Sequence, residues 1–174
     1  MHITVEITSP TATSGTLKIG PHVFSCTLGR AGVVAAADKK EGDGKTPLGV
    51  FPLRRLLYRA DRVPRPVTGL KVESLTPDVG WCEDSAHPDY NKQILLPHPS
   101  VHDRMTRADH LYDYTVVIGY NDAPVVPGKG SAIFMHLAHP DMTPTAGCVG
   151  LRVEDMAQVL KLCDFTTNIR ILPP

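Results

Sequence analysis

The sequence predicts a mainly β protein: a β-sandwich or closed mixed sheet, with one C-terminal helix and a long loop-rich insertion. Three observations predict it. Short β-prone segments, several of them alternating between apolar and polar residues, recur at 1–8, 17–28, 48–58, 114–120 and 166–172, and such alternation is the mark of strands with one buried face. One stretch, 153–162, instead repeats its apolar residues at helical spacing. Sixteen prolines in 174 residues argue against long helices, because proline lacks the donor N–H and clashes with the turn before it.

The elements follow in order. Residues 1–8 and 17–28 form a hairpin-like pair around Gly20-Pro21. Residues 30–43 read either as a short helix or as a loop carrying one turn. Asp43-Gly44 is a turn signal, and Pro47 keeps the chain extended into 48–58, a strand buried on both faces. Residues 59–111, rich in Pro, Asp and His and holding the one tryptophan, lack strong periodicity. A long insertion of this kind is typically a lid or binding loop, and 99–111 within it reads as a short helix. Residues 114–120 are the clearest strand, and 121–130 a turn-rich connection. In 153–162 acids come early and a lysine late, matching the helix dipole.

Composition narrows the function. The length suits one domain with a sizeable core, expected to act as a monomer. Lys+Arg 18 against Asp+Glu 18 gives no broad basic face, so nucleic acid is not the expected partner. No apolar run reaches the ~18 residues a membrane helix needs. Cysteines at 26, 82, 148 and 163 form no CxxC pair. Cys26 and Cys163 read as buried hydrophobes, and Cys82 is open.

Chemistry concentrates in 131–152, SAIFMHLAHPDMTPTAGCVGLR. A thiol is a useful nucleophile at neutral pH when something lowers its pKa or takes its proton. His136 stands twelve residues before Cys148, room for a strand end, a loop and a return to the same edge. Gly147, free of a Cβ, lets its own N–H and that of Cys148 face a substrate oxygen as an oxyanion hole. The expected roles are Cys148 as nucleophile, His136 as base, and Gly147 as oxyanion donor. His139 is the rival base, but on a strand it faces away from His136. A zinc site of His136, His139 and Cys148 is disfavoured, since a glycine before a lone cysteine has no metal rationale. Gly44-Lys45-Thr46 is not a phosphate loop, because position 39 is lysine and Pro47 blocks the helix. No cofactor or metal is expected.

The segment resembles the signature of the YkuD-type L,D-transpeptidases, a histidine followed by a loop and then Ser/Thr-x-Gly-Cys, here Thr145-Ala146-Gly147-Cys148. Far upstream, residues 42–51 (GDGKTPLGVF) resemble that family's DGKTPxGxF segment, and the likeness spans roughly residues 28–172. The chain reads as a divergent member. Ala146 stands where many members have histidine, Gly150 where many have arginine, and Leu137 where glycine commonly follows the histidine.

The resemblance implies a cysteine acyltransferase acting on peptidoglycan stem peptides, giving 3→3 cross-links or D-amino-acid exchange. It equally admits an L,D-carboxypeptidase, a non-catalytic wall-binding module, or an antibacterial effector. Arg152, the nearest arginine, would hold a substrate carboxylate or stand as a solvated charge. Thr145 would steady the loop or bond the imidazole, and Tyr120 and Asn121 would line the cleft. The resemblance places the protein at the cell envelope. Residues 1–15, however, read as a strand and not as a cleaved leader, leaving a cytoplasmic or otherwise exported form open.

Overall fold

Strand β1 (His2–Glu6) buries Ile3 and Val5 and turns His2, Thr4 and Glu6 the other way. The same alternation builds β2 (Ser14–Ile19) and β3 (His22–Thr27), which bury Leu17, Ile19, Phe24 and Cys26. Between them Gly20 has φ +55 and is followed by Pro21. A positive φ before a proline, whose own φ is fixed negative, suits a type II′ hairpin turn. The computed structural model describes residues 1–174.

The next elements in order are β4 (Val33–Ala35), a 3-10 turn at Ala36–Asp38, and the long β5 (Thr46–Tyr58). The insertion contributes β6 (Val72–Ser74), β7 (Val79–Cys82), β8 (Gln93–Leu95) and β9 (His102–Arg104). Then come β10 (Tyr114–Ile118), β11 (Phe134–Leu137), β12 (Val149–Leu151), α1 (Val153–Leu162) and β13 (Asn168–Ile171). The order β10-β11-β12-β3-β2-β1-β13-β5, with β5 also paired to β10, closes into a barrel. It is mixed: β1–β13 and β11–β12 are parallel, the remaining ring pairs antiparallel.

β5 is the spine, pairing in turn with β4, β13, β10 and β6. Leu53 and Leu56 are three apart yet both sit in the barrel core, an odd spacing that a regular strand cannot give. The register slip between Val117 and Ile118 on β10 opposes Leu53 and Arg55 and supplies the extra residue. Past it, Leu56 faces the barrel and Leu57 the outer layer, so the strand is buried on both sides there.

Helix α1 lays Met156, Val159, Leu160 and, just past its end, Cys163 into the barrel core. That is the i, i+3, i+4, i+7 stripe, and each large apolar side chain so buried is worth about 1.5–3 kcal/mol. Residues 30–43 form the loop with one turn, not a helix. Residues 99–111 are likewise not helical. They hold β9, which pairs with β7, and Val101 and Met105, four apart and so on one face of a helix, are 70% exposed and fully buried.

The insertion is more regular than its sequence suggests. β8-β7-β9 form a separate three-stranded sheet, and its Val79 and Trp81 pack, with Met105 and Tyr112, on the barrel's outer face. A second core of ten residues results, joining them to Leu57, Val117, Phe134 and Cys148. No helix is long and apolar enough to cross a membrane.

Candidate active site

Cys148 lies on the face that the insertion covers. In the parallel pair β11–β12, His136 is opposite Gly150 and Met135 opposite Val149. Met135, Leu137, Val149 and Leu151 therefore fill the barrel, while His136 and Cys148, two residues before Gly150, face outward together. Both line a cavity of about 250 Å³ closed by Arg107, Leu111 and Tyr112 on one side and Thr143–Ala146 on the other.

The imidazole is oriented. His136 Nδ1 lies 2.8 Å from the Leu137 carbonyl, which can only accept, so Nδ1 carries the proton and Nε2 keeps its lone pair. The thiol donates to the Ala132 carbonyl at 3.2 Å and accepts the Phe134 N–H at 3.4 Å. Thiol and imidazole thus share a cavity without bonding to each other. Burial, against the Leu137 hydrogen bond, holds His136 down at about 4. Burial also pushes Cys148 up to about 12, the Asp103 and Glu83 carboxylates adding to it and the Phe134 N–H opposing. The resting pair is therefore neutral thiol and neutral imidazole, where the sequence suggested an activated thiol.

The turn before the nucleophile is tied internally. Thr145 Oγ1 donates to the Cys148 carbonyl at 2.7 Å and accepts the Gly147 N–H at 3.0 Å. Thr145 is thus the loop's brace, not a partner of the imidazole. It also corrects the oxyanion pair: the Gly147 N–H is committed, and the Cys148 N–H is left with no side-chain or loop partner. Gly147 is needed for a different reason. Its φ is +140, and a Cβ there would lie 2.8 Å from the Lys45 carbonyl.

That carbonyl belongs to the upstream motif, which props the cysteine loop from below. Asp43 accepts from Lys39 Nζ and from the Lys40 and Lys45 N–H groups, and Thr46 Oγ1 accepts the Gly29 N–H at 2.8 Å. Residues 28–30 in turn exchange backbone bonds with Thr145 in both directions. Barrel, motif and nucleophile loop interlock.

A family model described as the L,D-transpeptidase catalytic domain, YkuD, matches residues 4–171. The chain belongs to the YkuD family. No curated protein and no solved structure matches it.

This YkuD domain does not gather every expected residue at the site. Arg152 is exposed and caps α1, beyond the end of β12 and outside the Cys148 cavity. The strand ends one residue before it. Tyr120 and Asn121 also lie outside that cavity. Tyr120 packs edge-on against Phe51 and donates to the Lys129 carbonyl at 2.5 Å. Asn121, at φ +49, ties the 121–130 turn through Val126 and Gly130. His139 faces His110, ring centroids 6.0 Å apart, and does not converge with His136 and Cys148 at ligand spacing. The grouping that does have such spacing is His87, Asp89 and His98 in the insertion. All four cysteines are free, Cys82 buried in β7.

Two site residues escaped the sequence reading. The Tyr112 ring lies 5.4 Å from that of His136 and 5.8 Å from that of Phe134, and its hydroxyl donates to Asp103 at 2.9 Å. The Arg107 guanidinium stacks over Tyr112 at 5.1 Å while bonding Asp109 twice. No local signal marks them: they precede β10, and the pairing of its Thr115 with His136 is what brings that part of the chain to the site.

Proposed function

We propose that this YkuD domain is a cysteine acyltransferase on peptidoglycan stem peptides, an L,D-transpeptidase. One observation carries the reading: Cys148 and a tautomer-fixed His136 face a single cavity from adjacent parallel strands. His136 Nε2 takes the thiol proton as Cys148 Sγ attacks the carbonyl of the L-centre, diaminopimelate in a tetrapeptide stem. Because burial favours neutral forms, proton transfer accompanies attack and no standing thiolate is required. The Cys148 N–H faces the developing oxyanion. The C–N bond breaks, His136 returns its proton to the departing D-alanine amine, and a thioester remains. An acceptor amine then attacks, gives its proton to His136, and releases the thiolate to be reprotonated. Water as acceptor gives the tripeptide of an L,D-carboxypeptidase.

The test is intact-mass spectrometry with a disaccharide-tetrapeptide and a D-amino acid, reading the muropeptide products alongside. Loss of D-alanine with a dimer or exchanged stem marks transpeptidation, and tripeptide alone marks hydrolysis. Cys148→Ala is expected to abolish both the adduct and every product. Turnover surviving in that variant would end the proposal, and the absence of any adduct in the wild type would favour a wall-binding module.

A further inference from the structure

His87, Asp89 and His98 converge in the loops of the insertion's small sheet, and none of them lines the Cys148 cavity. His87 and Asp89 sit in the loop from β7 to β8, and His98 in the crossover from β8 to β9. That crossover returns to the end of β7, where the Val101 carbonyl accepts the Glu83 N–H, so His98 comes back beside the first loop. The two histidines stand eleven positions apart and form no tight pair, so no sequence motif announces the grouping.

The spacing is that of ligands around an ion. His98 Nε2 and His87 Nδ1 lie 3.4 and 3.7 Å from Asp89 Oδ2, and one ligand atom from each residue lies within 4.8 Å of the other two. An N–H···O bond closes to about 2.7–3.2 Å, so both approaches are wide for direct bonds. Ligands about 2.0–2.1 Å from a tetrahedral zinc ion stand roughly 3.3–3.4 Å from one another. Both rings are largely buried, while the Asp89 side chain is 44% exposed and leaves an entry path.

Each ring can offer a lone pair. His87 Nδ1 accepts the Asp89 N–H at 3.1 Å, so it already carries no proton, and a metal would replace that bond. His98 Nδ1 lies 2.7 Å from Ser100 Oγ and accepts the Ser100 N–H at 3.3 Å. When Nε2 ligates, Nδ1 takes the ring proton and donates it to the Ser100 hydroxyl, the kind of outer partner that orients a ligating histidine. The competing cation, Lys92, has its Nζ 3.8 Å from Asp89 Oδ1 and is 54% exposed, free to swing away.

We propose that His87, Asp89 and His98 bind a divalent zinc-type ion, with water at the fourth position. Two imidazoles with one carboxylate suit zinc better than magnesium or calcium. The ion staples the two loops of the insertion together. Asp89 is followed by Tyr90 and Asn91, whose hydroxyl and amide oxygens accept the Gly130 and Ala132 N–H groups. The Ala132 carbonyl is the one that accepts from the Cys148 thiol, so the staple braces the loop that holds the thiol's own contact. The site stands independently of the acyl-transfer reading.

The probe is zinc ion alone, titrated into the chelator-treated full chain carrying Cys148→Ala, which removes the thiol as a rival ligand. One equivalent is expected to bind by calorimetry and to raise Tm by about 5–10 °C at a hundredfold excess over Kd. Amide exchange across residues 84–98 should slow with it, and cobalt in place of zinc should give a tetrahedral absorption spectrum. His87→Gln and His98→Gln should each weaken binding by about a hundredfold or more, and Ser100→Ala by about tenfold, while His139→Gln leaves it unchanged. No binding by the parent protein, read without any substitution at the site, would overturn the proposal whatever the variants do. Binding that survives both His87→Gln and His98→Gln, or is lost in His139→Gln, would place the ion elsewhere and overturn it equally.

Discussion

Cys148 is expected to be a slow thiol at neutral pH, and the pH dependence of its alkylation tests the neutral-pair mechanism directly. Burial and nearby carboxylates place it at about 12, against 9.0 ordinarily. At pH 7.5 an ordinary thiol is ~3% ionised, and one at about 12 only ~0.003%, so alkylation should run ~1000-fold slower. Limited access lowers the absolute rate further, so the slope is the sharper observable. Folded protein is treated with iodoacetamide between pH 6 and 10, and modification of Cys148 is read by peptide mass mapping, with urea-unfolded protein as the reference. The logarithm of the rate should climb by about one decade per pH unit with no plateau. A plateau below pH 8, or the rate of an unhindered thiol at pH 7, would mean a standing thiolate–imidazolium pair. The contacts of Sγ with the Ala132 carbonyl and Phe134 N–H would then not be those of the resting enzyme, and concerted proton transfer would be refuted.

Two further outcomes concern stability. His136 has a folded value of about 4, below 6.5 ordinarily, so between those pH values the unfolded chain binds a proton that the folded one excludes. Stability is therefore full above pH 6.5 and falls as pH drops towards 4, by up to ~3 kcal/mol from this residue. Urea midpoints at pH 7.5 and 4.5 should separate less in His136→Gln, and an equal separation would refute the assignment. Gly147→Ala forces a Cβ to 2.8 Å from the Lys45 carbonyl at φ +140. It should cost about 1–3 kcal/mol and lower Tm by several degrees, and an unchanged Tm would mean that the loop is not held as described.

The barrel was legible where one residue pattern determines one face. β1, β2 and β3 alternate cleanly, and α1 carries its stripe from Met156 to Cys163, so strands and helix emerged from period alone. The insertion was not legible because its strands are three or four residues long, too short to show a period. Val79 to Cys82 are all buried, so β7 shows no alternation to read. The site divided the same way. His136, Gly147 and Cys148 stand in a local motif whose spacing speaks for itself. Tyr112 and Arg107 reach the cavity only because β10 pairs with β11, a long-range fact that no window of sequence contains. Arg152 misled for a local reason: β12 ends at Leu151 and α1 starts at Val153, so it stands in the turn between them, outside the Cys148 cavity.

Position 150 is crowded by a single side chain. Thr27 is opposite Gly150 across β3 and β12, and its hydroxyl lies 2.3 Å from where a Cβ at 150 would stand. A side chain at 150 would need the Thr27 hydroxyl, which makes no hydrogen bond, to rotate away from β12. Arg152 cannot replace it, being exposed at the start of α1. The guanidinium that the cavity of His136 and Cys148 does possess is that of Arg107, set by its bonds to Asp109 through Nε and Nη2, with Nη1 unbonded. A fixed guanidinium with spare donors is suited to a carboxylate. The arginine that lines this cavity thus comes from the insertion and not from the strand after the nucleophile. The insertion therefore walls the cavity, and Tyr112, which bonds Asp103, stands beside both Arg107 and His136.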